Sequence, residues 1–188
     1  MDDYSIIQAR IGDGFEAVQA VPDDIPQVTE LLLKTARWLQ SRGSDQWSGL
    51  LRGEDSHRTS ERIRQGDVFL FKRDGVPAGM VMLLRQPSAW DEELWGEGGH
   101  ERAVYLHRLA IDRDFAGQGL GGKILDWAGS GIRFDGKDRI RLDCIADNAT
   151  LNGFYRGRGY DYRGAAVNGL GTFSKYEKAV AYPGELPR

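Results

Sequence analysis

At 188 residues, with 40% hydrophobic and 28% charged side chains, the chain has the make-up of one soluble globular domain, long enough to bury a substantial core. A net charge of −3 gives no general attraction for nucleic acid or for an anionic membrane, so neither is an expected partner. One cysteine, Cys144, excludes an internal disulfide and a cysteine-based zinc site, and no metal is expected; the acidic start Met1-Asp2-Asp3 and the lack of an apolar run of about 18 residues point to a cytoplasmic protein.

Residues 1–13 carry no clear pattern and read as an N-terminal arm, followed by a single domain over 14–182 and a tail at 183–188. Residues 15–21 alternate as a first strand. Val21-Pro22-Asp23-Asp24-Ile25-Pro26 opens a helix, with Asp23 or Asp24 as cap and Pro26 in the first turn. Its apolar face is Ile25, Val28, Leu32, Ala36 and Leu39, and it should end near Gly43. A polar loop holding Gln46 and Trp47 follows, then a short helix over about 59–64. Two strands, 67–73 and 76–85, flank Asp74-Gly75, a strong hairpin signal. Residues 86–102 read as a long loop of the kind that carries function. Its acids Asp91, Glu92 and Glu93 could attract a cationic amine or simply be solvated.

Residues 104–127 organise the rest. An apolar run ends at Asp112-Arg113-Asp114, four glycines occupy positions 117, 119, 121 and 122, and Leu120, Ile124, Leu125, Ala128 and Ile132 then recur at helical spacing. A glycine loop opening a helix suits a phosphate, because the first-turn N–H groups lack partners within the helix and the macrodipole is positive there. Gln118, Gly119, Gly121 and Gly122 are the expected donors. Residues 140–145 form a strand parallel to 104–111, since the helix between them is a crossover. Arg133, Lys137, Arg139 and Arg141 alternate with acids and read as a solvated strand edge, while Cys144 reads as a small buried thiol. Asn148 caps a helix bearing Leu151, Phe154 and Tyr155 that stops near Gly159, and 160–163 and 170–176 supply final antiparallel strands. Positions 148 and 155 share one helix face. The loop also fits GxGxxG, which keeps a dinucleotide site in view with Asp143 as its ribose acid, although the chain has little room for the repeated βαβ units such a site needs.

Ala116-Gly117-Gln118-Gly119-Leu120-Gly121 resembles the acyl-CoA pyrophosphate loop of the Gcn5-related N-acetyltransferase (GNAT) family, which has Arg or Gln where this chain has Ala116. Asn148-Ala149-Thr150-Leu151-Asn152-Gly153-Phe154-Tyr155, followed by Gly159-Tyr160, resembles the family's second motif. The resemblance implies an α/β (α+β) fold: a mixed, mostly antiparallel sheet whose central parallel pair is splayed to admit acyl-CoA, with helices on both faces. It implies an acetyl-CoA-dependent N-acetyltransferase acting on a primary amine of a small molecule or peptide, with a homodimer compatible. Residues 117–122 would hold the diphosphate, Leu109, Ala110 and Ile111 the pantetheine arm, and Asn148 and Tyr155 would complete the cofactor set. Leu109, at a bulge, would donate its N–H to the thioester carbonyl. Through the same resemblance Trp38, Gln46 and Trp47 become candidates to line an acceptor cleft, with Trp38 expected in the core and Trp47, in a polar loop, against the ligand. Tyr155 stands where the family's thiolate-protonating Tyr stands. Leu106-His107-Arg108-Leu109-Ala110-Ile111 resembles the corresponding strand of the serotonin N-acetyltransferases in that family, which makes His107 the base, with Glu93 in reserve through water. Two other functions remain open: a non-catalytic acyl-CoA-binding or sensing protein, and a nicotinamide-dependent oxidoreductase.

Overall fold

Asp74 and Gly75 adopt left-handed backbone angles, φ +50° and +78°, as a tight two-residue hairpin requires. They join β3 (Val68–Arg73) to β4 (Val76–Leu84) antiparallel. The structure is a computed structural model describing residues 3–180 and 182; the expected tail at 183–188 and the first two residues of the expected arm lie outside them. The chain forms two compact units, one from Ala9–Met82 and Arg108–Ile124, the other from the described parts of Met1–Gln8, Leu83–His107 and Leu125–Arg188.

In the first unit β2 (Phe15–Gln19) pairs antiparallel with β3, from Phe15↔Arg73 to Gln19↔Phe69. The helices α1 (Ile25–Ser41), α2 (Ser48–Leu51) and α3 (Thr59–Arg64) follow β2 in the chain. On α1, Val28, Leu32 and Ala36 of the expected stripe are buried, joined by Leu31 and Thr35, whereas Ile25 and Leu39 at its two ends are half-buried. Trp38, expected in the core, is instead 36% exposed. It lies at the stripe's edge, where the Arg113 guanidinium covers its ring at 3.9 Å from the centroid. Phe69, Leu70, Phe71, Met80, Val81 and Met82 are fully buried, each contributing about 1.5–3 kcal/mol of hydrophobic stabilisation. Gly79 is required by close approach, since a Cβ there would lie 2.9 Å from Ile124 Cδ1 and 3.1 Å from the Ala110 carbonyl.

In the second unit β7 (Arg139–Ile145) runs parallel to the start of β5 (Ala103–Ile111), whose residues 103–107 belong to that unit, with partners from Ala103↔Arg139 to Tyr105↔Arg141. The other side of β7 is filled by β9 (Gly171–Ala179), antiparallel from Arg139↔Ala179 to Ile145↔Phe173, and β9 pairs in turn with β8 (Asp161–Asn168). β7 therefore has neighbours on both sides. Arg141, expected on a solvated edge, is 8% exposed, donates to Glu177 at 2.9 Å and to the Tyr105 hydroxyl at 3.1 Å, and lies over Trp95. The seven strands form a mixed, mostly antiparallel sheet with a parallel pair, β5 and β7, the α/β class expected. That arrangement is not a doubly wound parallel sheet, so a dinucleotide reading of the glycine loop loses its scaffold.

Four elements differ from the sequence reading, the first being α2, which begins within the expected polar loop. Within the expected arm, Tyr4–Ile6 forms β1 and pairs with β6 (Ile132–Phe134), which takes Ile132 out of the preceding helix α5 (Leu120–Ser130). Residues 86–102 are not all loop, for Ala89–Trp95 is a helix, α4. The Ser88 hydroxyl accepts from the Asp91 N–H at 3.2 Å while the Asp91 carboxylate accepts from the Ser88 N–H at 2.8 Å, a reciprocal cap. The last helix, α6 (Ala149–Gly157), starts where Asn148 predicted. Among the described residues no helix is long and apolar enough to cross a membrane.

Candidate functional site

After β5 the chain makes a 3-10 turn at Arg113–Phe115 and then the glycine loop. Gly117 and Gly119 have φ +76° and +70°, and a Cβ on either would meet nothing within 4 Å. Backbone conformation, rather than crowding, is what requires glycine there. The Gly119 carbonyl accepts from the Lys123 N–H at 3.2 Å, so the N–H groups of Leu120, Gly121 and Gly122 precede the first intrahelical bond of α5 and are available to an anion. Gln118 is exposed, and its Oε1 accepts from Arg73 at 2.9 Å. The Arg73 guanidinium lies on the Phe15 ring, 3.9 Å from its centroid, and Lys123 pairs with Asp13. Two cations thus border the loop. Arg73 was invisible in sequence because its link to Gln118 spans 45 residues.

Leu109, Ala110 and Ile111 close β5 in the same unit. Arg108, just before them, has φ +52° inside the strand, which breaks the alternation that would put its side chain opposite His107 and Leu109.

The other unit holds His107, Asn148 and Tyr155. His107 is buried on β5, with Nε2 at 2.9 and 3.1 Å from the two oxygens of Asp91 on α4. A carboxylate only accepts, so Nε2 carries the proton and Nδ1 bears the lone pair when the ring is neutral. Burial opposes ionisation of Asp91, but hydrogen bonds from His107 and from Ser88 outweigh it and hold the carboxyl below its ordinary range. Asp143 on β7 completes a trio whose ligand-type atoms all lie within 4.8 Å of one another. Its Oδ1 accepts from the Trp90 indole at 3.1 Å. Loss of solvation pushes the Asp143 carboxyl up, against the pull of His107. Asp91, His107 and Asp143 are the described residues whose donor types could hold a cation, but the Asp91 oxygens are already engaged by His107 and Ser88. Sequence reasoning missed Asp91 as a partner of His107; the Ser88-x-x-Asp91 spacing signalled its helix but not its target. Glu93 is exposed on α4.

Asn148 caps α6, its Oδ1 accepting from the Leu151 N–H at 2.9 Å. Asn152, which sequence reasoning did not single out, donates to the Asn148 and Ile145 carbonyls at 2.8 and 3.0 Å and accepts from the Tyr176 hydroxyl at 2.7 Å. It fixes the first turn of α6 to the end of β7 and to β9. Tyr155, on α6, is buried among Phe154, Tyr160 and Tyr176, and burial pushes its phenol above the ordinary tyrosine range, so at neutral pH it is a protonated donor. Burial, and then the Asp143 charge, pushes the Cys144 thiol up to about 12. A thiol so placed is no nucleophile at neutral pH, as the sequence reading of a small buried side chain expects.

The profile of the Acetyltransferase (GNAT) family matches residues 29–160. The chain is 52% identical over 175 residues to the protein of Bacillus subtilis (strain 168) called Uncharacterized N-acetyltransferase YesJ, covering 93% of this chain and 97% of that one. Its fold is similar to that of a GNAT family acetyltransferase from Listeria monocytogenes 4b F2365, with a TM-score of 0.74 and 36% identity over 88% of this chain and 95% of that one. It is also similar to RimL, the ribosomal L7/L12 alpha-N-protein acetyltransferase in complex with coenzyme A, with a TM-score of 0.63 and 17% identity over 92% of this chain and 97% of that one. With a profile match over most of its length and a relative at 52% identity, the chain belongs to the GNAT family of acetyltransferases.

Proposed function

We propose that the protein transfers an acetyl group from acetyl-CoA to a primary amine of a small molecule or peptide, by direct attack through a tetrahedral intermediate. The observation that carries this reading is the loop at 117–122, where two left-handed glycines free a run of main-chain N–H groups at the head of α5 beside Arg73 and Lys123. A diphosphate fits that potential, and Leu109, Ala110 and Ile111 offer strand backbone to the amides of a pantetheine arm. The coenzyme A complex of RimL, a protein of the same fold, supports the choice of cofactor. RimL's protein substrate supports a peptide amine among the acceptors.

In the reaction the amine nitrogen bonds to the thioester carbon and the C–S bond breaks. An alkylamine with a pKa near 10 is mostly protonated at neutral pH and must lose a proton to react. His107 takes that role, with Asp91 fixing its proton on Nε2 and stabilising the imidazolium that forms. The N–H of Leu109 donates to the developing oxyanion. Tyr155, held protonated by its surroundings, hydrogen-bonds the departing sulfur and delivers the proton that makes free CoA thiol. The proton released by the amine restores the phenol through solvent, and the products are amide and thiol.

A thiol-release assay across an amine panel, with calorimetric titrations of acetyl-CoA and NAD, tests this reading. Acetyl-CoA should bind, NAD should not, and at least one amine should release thiol. Binding without thiol release would leave an acyl-CoA-binding or sensing protein, and binding of NAD alone would end the acetyltransfer reading.

A further inference from the structure

Among the described non-glycine residues inside strands, Arg108 has the left-handed conformation, and it directly precedes the proposed oxyanion donor Leu109. Its side chain is 6% exposed, so a guanidinium that is always charged sits out of water. A fold that buries a charge normally matches it with an ion pair and fills its remaining donors. Arg108 falls short on both. One terminal nitrogen reaches Asp55 at 3.4 Å, a long contact for a charged pair. The Asp55 carboxylate is already shared, accepting from the main-chain N–H groups of Thr59 at 2.7 Å and His57 at 3.2 Å. The Arg108 Nε–H is buried with no hydrogen-bond partner among the described residues. The Trp47 ring lies 5.1 Å from the guanidinium carbon and shields it.

From this we infer that Arg108 is the docking point for a carboxylate on the acceptor, and that the amine acetylated by this protein is carried by a molecule with a carboxylate group. The inference rests on the acetyltransfer proposed above and names the substrate class of the same site. A carboxylate presents two coplanar oxygens, which match an Nε–H and a terminal N–H as a parallel pair of charge-assisted bonds. It would satisfy the orphaned donor and balance the charge that Asp55 reaches only at length. The place in the chain is apt, since recognition at residue 108 and polarisation at residue 109 come from consecutive residues. Trp47 would supply an apolar wall over the stem of the acceptor.

Calorimetry with matched pairs tests this: glycine and glycinamide, 4-aminobutanoate and 4-aminobutanamide, phenylalanine and phenylalaninamide, with O-phosphoethanolamine and ethanolamine to separate phosphate from carboxylate. Thiol release from acetyl-CoA is followed on the same compounds. In at least one pair the acid should bind about 10- to 100-fold more tightly than its amide, the range of one charged hydrogen-bonded pair. Arg108→Gln should bring that ratio close to one. Arg108→Lys keeps the charge without the fork and should retain only part of the preference; it carries the test should the glutamine variant not fold. Equal or undetectable binding across every pair, a preference for the phosphate, or a ratio unchanged in both variants would overturn the inference. Thiol release without preference for the acids removes the inference alone, whereas selective binding without thiol release from any amine removes the acetyltransfer and leaves the carboxylate site standing.

Discussion

Asp91 and Asp143 are two carboxylates beside one imidazole whose surroundings push them in opposite directions. Asp91 has a lower pKa in the fold than the roughly 3.9 of an unfolded chain, so its ionised form stabilises the protein above that pH and the benefit fades as pH falls through the folded value. Asp143 has a raised pKa, so its ionised form costs stability, a cost that grows as pH rises from about 3.9 through the folded value. Asp91→Asn should therefore lower stability at pH 7 by about 1–3 kcal/mol and by much less once the pH has fallen below the lowered value of Asp91 in the fold, whereas Asp143→Asn should raise it at pH 7. Urea unfolding at the two pH values measures both, and a neutral Asp91→Asn at pH 7 would mean that the carboxylate does not hold His107. Turnover tests the same residues differently. Tyr155→Phe should lower kcat far more than it weakens acetyl-CoA binding, and unchanged turnover would remove the phenol from the mechanism. His107→Ala should alter the acidic limb of the pH–rate profile; an unaltered limb would transfer the base role to Glu93 through water.

At the scale of the element, α4 decides whether Asp91 reaches His107 at all. Its first turn is set by the exchange between Ser88 and Asp91, so Ser88→Ala should destabilise the protein by about 1 kcal/mol. It should also reduce kcat with little change in acetyl-CoA affinity, because Asp91 then loses the Ser88 hydroxyl, one of the donors that orient it; equal losses in kcat and affinity would point to general disorder instead. This helix also shows where sequence reading stops. Asp74-Gly75, the Asn148 cap and the 117–122 loop were legible because each states its backbone requirement within a few residues. The Ser88-x-x-Asp91 spacing is equally local, but Pro87 before it and Gly96, Gly98 and Gly99 after it argue for a loop. β1 and β6 have three residues each, too few for a period to show. The reach of Asp91 to His107 across 16 residues, and of Asp55 to Arg108 across 53, is set by tertiary packing that no local pattern encodes.

For the molecule as a whole, the proposed function predicts a thermodynamic signature that needs no knowledge of the acceptor. A ligand that binds only the folded chain stabilises it by about 2.7 kcal/mol at a hundred times its dissociation constant. In a protein of this size each kcal/mol moves Tm by roughly 2–4 °C. Acetyl-CoA at that excess should therefore raise Tm by about 5–10 °C, in proportion to the logarithm of its concentration, and NAD should leave it unmoved. The shift should depend on the glycine loop in a defined way. Gly119 has φ +70° and a Cβ there meets nothing within 4 Å, so Gly119→Val acts chiefly by straining the backbone that aims the N–H groups. Differential scanning of that variant should show a Tm without ligand within a few degrees of native and a response to acetyl-CoA cut by more than half. A full response would mean that the diphosphate is held elsewhere, whereas a collapse of the unliganded Tm would mean that the loop is a structural turn first and a binding element second.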